Sequence, residues 1–312
     1  MRLAALDLGS NTFHVLIAEV GRSGGLAVIE RAKRMPRIGE SIFRTGHFSG
    51  ATLKSALRAV GDLVPVIERN EPQAVLAVAT SAVREARNGR AFVAEVRSRF
   101  GIEVQVISGD EEARLAYAGA RAQMDGRIGR ATLFDLGGGS LEVVVGDGSR
   151  ILHTASAPIG VLRAVAEQPS SGLSAPPDLR TIERWAFSRV AALLRPLHGR
   201  DLGEIVFCAG TARALRAVAR ALHLVPASGE GSNCLSRDTL RLLIEQLGAL
   251  PLAARRDVPG MNPDRADQII HGALILASVL DVIGVSRAHV CRAALREGLL
   301  IEHARRQWAA AA

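Results

Sequence analysis

The stretches that decide the fold are Leu3-Ala-Ala-Leu-Asp-Leu-Gly-Ser-Asn-Thr-Phe-His-Val-Leu-Ile-Ala-Glu-Val20 and Ala131-Thr-Leu-Phe-Asp-Leu-Gly-Gly-Gly-Ser-Leu-Glu-Val-Val-Val-Gly-Asp-Gly148. Both read as an apolar strand ending in Asp-Leu-Gly, a turn of small polar residues, and a second apolar strand. Glycine and serine let the backbone approach a ligand closely, because no Cβ stands in the way. Such a turn also aims several N–H groups into one concavity, which is an anion site. The aspartate that precedes it cannot hold phosphate directly, since like charges repel; it implies an intervening cation or a positioned water. One Asp-Leu-Gly turn alone is an ordinary tight hairpin. Two in one chain form an internal repeat and point to two related lobes, each carrying a phosphate loop.

Working outward, strands alternate with helical stretches, which gives an α/β architecture. After the first hairpin come a strand over 26–31, a basic loop over 31–48, and a helix capped by Ser49 or Thr52 that runs to about Glu68. Further along are a strand over 74–79, a helix over 88–100 stopped by Gly101, a strand over 104–107 and a helix over 110–121. The second lobe starts near Gly126. Past its hairpin come a strand over 150–155 and a helix after Pro158-Ile-Gly160. A Ser/Gly/Pro-rich loop then spans 168–177, and a helix spans 178–197. A strand over 205–208 leads into a helix reaching Leu222, a loop over 227–233, and helices over 237–247, 266–280 and 295–307.

The 312 residues suggest two domains, since single cores stop growing near about 250–300 residues. No apolar run is long enough to span a membrane. Cys208, Cys234 and Cys291 are odd in number and lack metal spacing, so they read as reduced thiols in a cytoplasmic protein without zinc. The net charge of +8 fits a polyanionic partner, yet nearly all of it is arginine in an Ala- and Arg-rich chain, a pattern that genome composition also produces. Aromatics are only 4% and do not interleave with the arginines, so stacking platforms for nucleic acid are not indicated.

Several further motifs carry chemistry. Ser108-Gly-Asp-Glu-Glu-Ala-Arg114 places three carboxylates at a helix start. Acidic residues there oppose the macrodipole and need do no more. Crowded beside a phosphate they would also repel one another, which suits a general base for water. Arg84, after Thr80-Ser81, offers a bidentate fork for phosphate, or is a solvated arginine. Ala209-Gly-Thr211 ends a strand and opens a helix, which is either an anion site or an ordinary Thr cap. His14 and His271 lie in apolar surroundings and read as core histidines.

Taken together, Asp7-Leu-Gly-Ser-Asn-Thr-Phe-His14, Thr80-Ser-Ala-Val-Arg84, Ser108-Gly-Asp-Glu-Glu-Ala-Arg-Leu115, Asp135-Leu-Gly-Gly-Gly-Ser-Leu-Glu142 and Ala209-Gly-Thr211 resemble, in order and across the whole chain, the exopolyphosphatase / guanosine pentaphosphate phosphatase family. The resemblance implies two actin-like (ribonuclease H-like) domains with a cleft between them. Residues 1–124, with a helix over about 297–312 packing back, form the first, and residues 125–296 form the second. It implies the short form of the family, without a C-terminal helical extension. Glu112 is then the catalytic glutamate, Glu111 being its neighbour, with Asp135 and Glu142 beside it in catalysis. Gly9, Ser10, Asn11, Thr12, Arg84, Gly137, Gly138, Gly139, Ser140, Gly210 and Thr211 bind phosphate. Asp7, Asp135 and Glu142 hold Mg2+ or Mn2+. One departure stands out: Leu141 occupies a position that is usually Thr in the family, so residue 141 is not counted as a ligand.

The implied reaction is processive hydrolysis of terminal phosphate from inorganic polyphosphate. The first alternative is a guanosine pentaphosphate 5′-phosphohydrolase; the second is a sensor that binds the penta- or tetraphosphate alarmone with little turnover. A sugar kinase or actin-like ATPase is disfavoured by Glu111-Glu112 in its Ser-Gly context. No specific nucleic acid or membrane is expected as a partner, and a homodimer is compatible with the resemblance.

Overall fold

A computed structural model describes residues 1–22, 24–124, 129–168 and 177–310. The chain divides into two compact units, Met1–Arg127 together with Ala293–Ala312, and Ile128–Arg292. The returning segment thus begins at Ala293, ahead of the expected 297. The expected start of the second lobe near Gly126 and most of the expected 168–177 loop lie outside the described residues.

In chain order the first unit runs β1 (Arg2–Leu8), β2 (Phe13–Val20), β3 (Leu26–Arg34), α1 (Ile38–Thr45), α2 (Gly50–Gly61), α3 (Val64–Glu68), β4 (Ala74–Ala79), α4 (Ser81–Glu85), α5 (Gly89–Phe100), β5 (Val104–Val106) and α6 (Gly109–Gln123). The second runs β6 (Arg130–Leu136), β7 (Leu141–Asp147), β8 (Arg150–Ala157), α7 (Val161–Glu167), α8 (Leu179–Leu194), β9 (Glu204–Cys208), α9 (Ala209–Ala221), β10 (Cys234–Ser236), α10 (Arg237–Gly248), α11 (Leu252–Arg256), α12 (Ile269–Ile283) and β11 (Arg287–Val290). The last helix, α13 (Leu295–Ala310), belongs to the first unit.

The first sheet has the order β3-β2-β1-β4-β5, an antiparallel meander followed by parallel crossovers. The second sheet repeats it: β8-β7-β6-β9-β11 occupy the same places with the same directions, and β10 adds an antiparallel edge. The internal repeat is therefore structural, and the fold is α/β in both units.

Strand alternation assigns the faces. In the first unit Ala4, Leu6, Leu8, Phe13, Val15 and Ile17 point into one core, with Ile38, Val60, Phe92 and Val96. Leu3, Ala5, Leu16, Ala18 and Val20 point the other way, onto Leu300, Ile301 and Ala304 of α13. In the second unit Phe134, Leu136, Leu141, Val143 and Val145 face a core built with Ile182, Leu215, Ile270 and Leu274. Asp135 and Glu142 alternate with these residues and so belong to the opposite face.

The secondary structure departs from the sequence reading at several places, among them the short helices α4 and α11, where no helix was expected. The 31–48 loop contains α1, which buries Ile38 and Ile42 one turn apart and ends at Gly46 with φ 75°. The helix expected over 49–68 is two helices, because Pro65 lacks the N–H that a continuous helix needs and instead sits in the first turn of α3. The helix expected from Ala266 begins at Ile269, after a 3-10 turn over Pro263–Arg265. Strands β10 and β11 were not legible as strands. Among the described residues no helix is long and apolar enough to cross a membrane.

Candidate active site

In the first unit the β1–β2 register sets Asp7 opposite His14 and Leu8 opposite Phe13, so Gly9 to Thr12 form the turn. The turn is pinned from behind. Gly39 N–H donates to the Ser10 carbonyl at 2.9 Å, and Arg37 N–H donates to the Asn11 carbonyl at 3.2 Å. The Ser10 hydroxyl accepts from Ala82 N–H at 3.1 Å, which ties the loop to the head of α4 and hence to the Thr80–Arg84 motif. Two of the turn's carbonyls are thereby engaged. Thr12 Oγ1 is buried and has no hydrogen-bond partner, and such an atom is costly unless a ligand satisfies it.

Arg84, on α4, donates from Nη1 to the Ile107 carbonyl at 2.8 Å and lies 3.4 Å from Glu112 Oε2. Glu112 stands in the first turn of α6, whose N-cap Ser108 accepts from Glu111 N–H. Its neighbour Glu111 turns instead to the Gln105 amide at 3.3 Å. The two glutamates are thereby separated: Glu112 is drawn toward Arg84, Glu111 toward an exposed strand edge.

In the second unit Asp135 and Glu142 are direct cross-strand partners on β6 and β7, which places their Cβ atoms about 4.5–5.5 Å apart. They are only 8% and 1% exposed. Ser156, opposite Glu142 on β8, donates to Glu142 Oε1 at 2.9 Å. The glycine turn is seated on α7: Val161 N–H reaches the Gly137 carbonyl at 3.1 Å, Leu162 N–H the Gly138 carbonyl at 2.8 Å, and Arg163 Nε the Gly139 carbonyl at 3.0 Å. A Cβ on Gly160 would sit 2.3 Å from Gly138 backbone atoms, so the approach is possible only for glycine. Ser140 is buried and its carbonyl accepts from Gly137 N–H at 3.0 Å.

Gly210 and Thr211 open α9 behind Ala209, which adopts φ 67° despite its Cβ. That left-handed conformation costs about 1–2 kcal/mol and aims the helix start sharply away from β9. The Arg265 guanidinium covers Gly210, where a Cβ would lie 2.9 Å from Nη2. Arg255, 1% exposed, braces the turn that carries Arg265 by donating to the carbonyls of Leu247 (3.1 Å), Leu250 (2.8 Å) and Ala266 (3.1 Å). His271 is a core residue whose Nε2 donates to the Gln168 carbonyl at 2.9 Å, and burial holds its pKa below the ordinary 6.5.

Asp135 and Glu142 fit a hard divalent cation. Two buried carboxylates face to face are repulsive unless a positive charge joins them. Among the described residues no three His, Cys, Asp or Glu side chains gather into a cage. Asp7 differs. Its Oδ2 lies 3.1 Å from Arg296 Nη1, in the first turn of α13. Burial pushes the Asp7 carboxyl above its ordinary range while the guanidinium pulls it down. Arg296, Arg163, Arg265 and Ser156 were all missed in the sequence, where arginine is too common to single out.

The model of the Ppx/GppA phosphatase family matches residues 16–307. The chain belongs to that family. Exopolyphosphatase 1 of Mycobacterium tuberculosis is 29% identical over 304 residues, covering 96% of this chain and 88% of the relative. The crystal structure of an exopolyphosphatase from Cytophaga hutchinsonii has the same fold, with a TM-score of 0.86 at 23% identity and 97% of both chains covered. The Ppx/GppA family member of Aquifex aeolicus superposes with a TM-score of 0.78 at 24% identity, over 98% of both chains.

Proposed function

We propose that this phosphatase is an exopolyphosphatase, hydrolysing the terminal phosphoanhydride of linear polyphosphate. The observation that carries the reading is Glu112 beside Arg84 at the head of α6, on the same unit as a pinned phosphate loop with a buried, unsatisfied Thr12 hydroxyl. The family and the named relatives support the substrate class.

In this reading water attacks the terminal phosphorus and gives its proton to Glu112. The bridging P–O bond breaks, releasing orthophosphate and a chain one unit shorter. Arg84 holds Glu112 and offers its remaining donors to phosphate oxygens. Backbone N–H groups of Gly9–Thr12 stabilise oxygen charge in a loose transition state, and the Gly138–Ser140 turn of the second unit offers a second anion site of the same kind. Asp135 and Glu142 would hold Mg2+ or Mn2+, which neutralises charge on phosphate oxygens.

Orthophosphate release from long polyphosphate, short polyphosphate and guanosine pentaphosphate, assayed in parallel, tests the proposal. A higher kcat/KM on polyphosphate supports it. Preference for the pentaphosphate would reassign the substrate, and tight alarmone binding without turnover on any of the three would make the chain a sensor.

A further inference from the structure

Asp7 is placed by alternation on the face of the first sheet that α13 covers, together with Leu3 and Ala5. The helix sits close. At its crossing with α6 a Cβ on Gly298 would lie 1.8 Å from the Leu115 carbonyl oxygen, and a Cβ on Gly119 would lie 2.0 Å from the Ala294 carbonyl oxygen. Glycine on both sides therefore lets the two backbones touch, and this fixes the depth at which the first turn of α13 enters.

Two consecutive residues of that turn have separate partners. Glu297 is engaged on its own side: Oε1 pairs with Arg31 at 3.1 Å and Oε2 accepts from Ala294 N–H at 3.0 Å. Arg296 reaches Asp7, and both side chains are largely buried, at 14% and 12% exposure. A buried ion pair of this kind is costly to break from one side, because the remaining charge is left uncompensated. Asp7 stands two residues ahead of Gly9, at the entrance of the loop whose Thr12 hydroxyl awaits a partner. A bare carboxylate there would repel phosphate.

We infer that Arg296 is the resident counter-cation of Asp7, a positioning residue that makes the first loop an anion cradle without a metal and leaves metal binding to Asp135 and Glu142. The inference rests on reading Gly9–Thr12 as a phosphate loop, but one arm of its test is independent of that reading.

The first arm is Mn2+ binding followed by electron paramagnetic resonance. Asp135→Asn weakens Mn2+ about tenfold or more, the scale for a carboxylate in or next to a metal shell, whereas Asp7→Asn leaves the affinity unchanged. An equal loss in Asp7→Asn overturns the inference. The second arm is calorimetric binding of tripolyphosphate. Arg296→Gln weakens it about tenfold or more, the scale for a lost charge-assisted contact. Adding Asp7→Asn restores most of the loss, because the repelling carboxylate is gone; a merely structural role for Arg296 would not be rescued in this way. No recovery in the double variant overturns the inference. Arg296→Lys, which keeps the charge, binds close to wild type and serves if Arg296→Gln does not fold. If the wild type binds no tripolyphosphate, the exopolyphosphatase reading fails, and the Mn2+ comparison still decides the role of Arg296.

Discussion

Gly298→Ala is the sharpest perturbation the structure offers. The new methyl would start 1.8 Å from the Leu115 carbonyl oxygen, a backbone atom that cannot rotate aside. Ordinary contact begins at 3.4 Å, so α13 must retreat from α6 by about 1.6 Å before dispersion turns attractive again. The Arg296–Asp7 pair, now 3.1 Å long, would then be stretched beyond ion-pairing distance. Alanine gains about 1 kcal/mol of helix propensity over glycine. Overpacking of this kind costs about 1–3 kcal/mol and more where the neighbour is rigid. The net expectation is a loss of about 2 kcal/mol from the first unit. Trp308 reports on it, since it packs with the α13 cluster, while Trp185 belongs to the core of the second unit. In a Trp185→Phe background, urea unfolding followed by Trp308 fluorescence should shift to lower denaturant with an unchanged slope. Gly50→Ala is the control: nothing lies within 4 Å of its Cβ, and it should be neutral or slightly stabilising. If Gly298→Ala unfolds with the control, the glycine crossing does not set the seat of α13.

Three further outcomes follow from the site. Glu112→Gln should lower kcat by about 10²–10⁴, the range for losing a general base, with an unchanged unfolding curve; near-wild-type turnover, with the loss appearing in Glu111→Gln instead, would shift the role by one residue. His271 is neutral in the fold, with its pKa held below the ordinary 6.5 by burial. The unfolded chain then takes up a proton first as pH falls, so stability should be full above about pH 6.5 and decline below it by up to about 1.4 kcal/mol per pH unit. His271→Gln should flatten that slope in denaturation curves measured from pH 7 to 5. Polyphosphate KM should rise with salt, as counterion release requires when several cations grip a polyanion; a flat KM would mean that only the terminal phosphates are held.

How much was legible depends on how local each feature is. The two Asp-Leu-Gly hairpins could be read because strand, turn and strand are contiguous and the apolar period is strong. They brought Asp7, Asp135, Glu142 and both loops with them. The start of α6 was legible through its cap, Ser108 and the acidic first turn, while the choice of Glu112 over Glu111 came from the family resemblance. By contrast, α1 was hidden by Pro36, Gly39 and Gly46, although Ile38 and Ile42 lie one turn apart and Gly46 serves as its left-handed C-cap. Strands β10 and β11 have three and four residues, too few to show a period, and exist because each pairs with a neighbour distant in sequence.

Arg296 is the extreme of that non-locality. It lies 289 residues from Asp7, and nothing near either residue announces the other. In a chain where arginine supplies nearly all the positive charge, composition cannot separate an arginine that holds a loop carboxylate from one that merely pairs on the surface, as Arg34 does with Asp62 or Arg2 with Glu19. Burial makes that separation. The surface pairs are screened and contribute little. The Asp7–Arg296 pair is held in a poorly solvated place by a helix whose depth is set by Gly119 and Gly298. On the inference drawn above, the carboxylate that the sequence offered as a metal ligand has its own cation instead, and the Mn2+ comparison of Asp7→Asn with Asp135→Asn decides between the two.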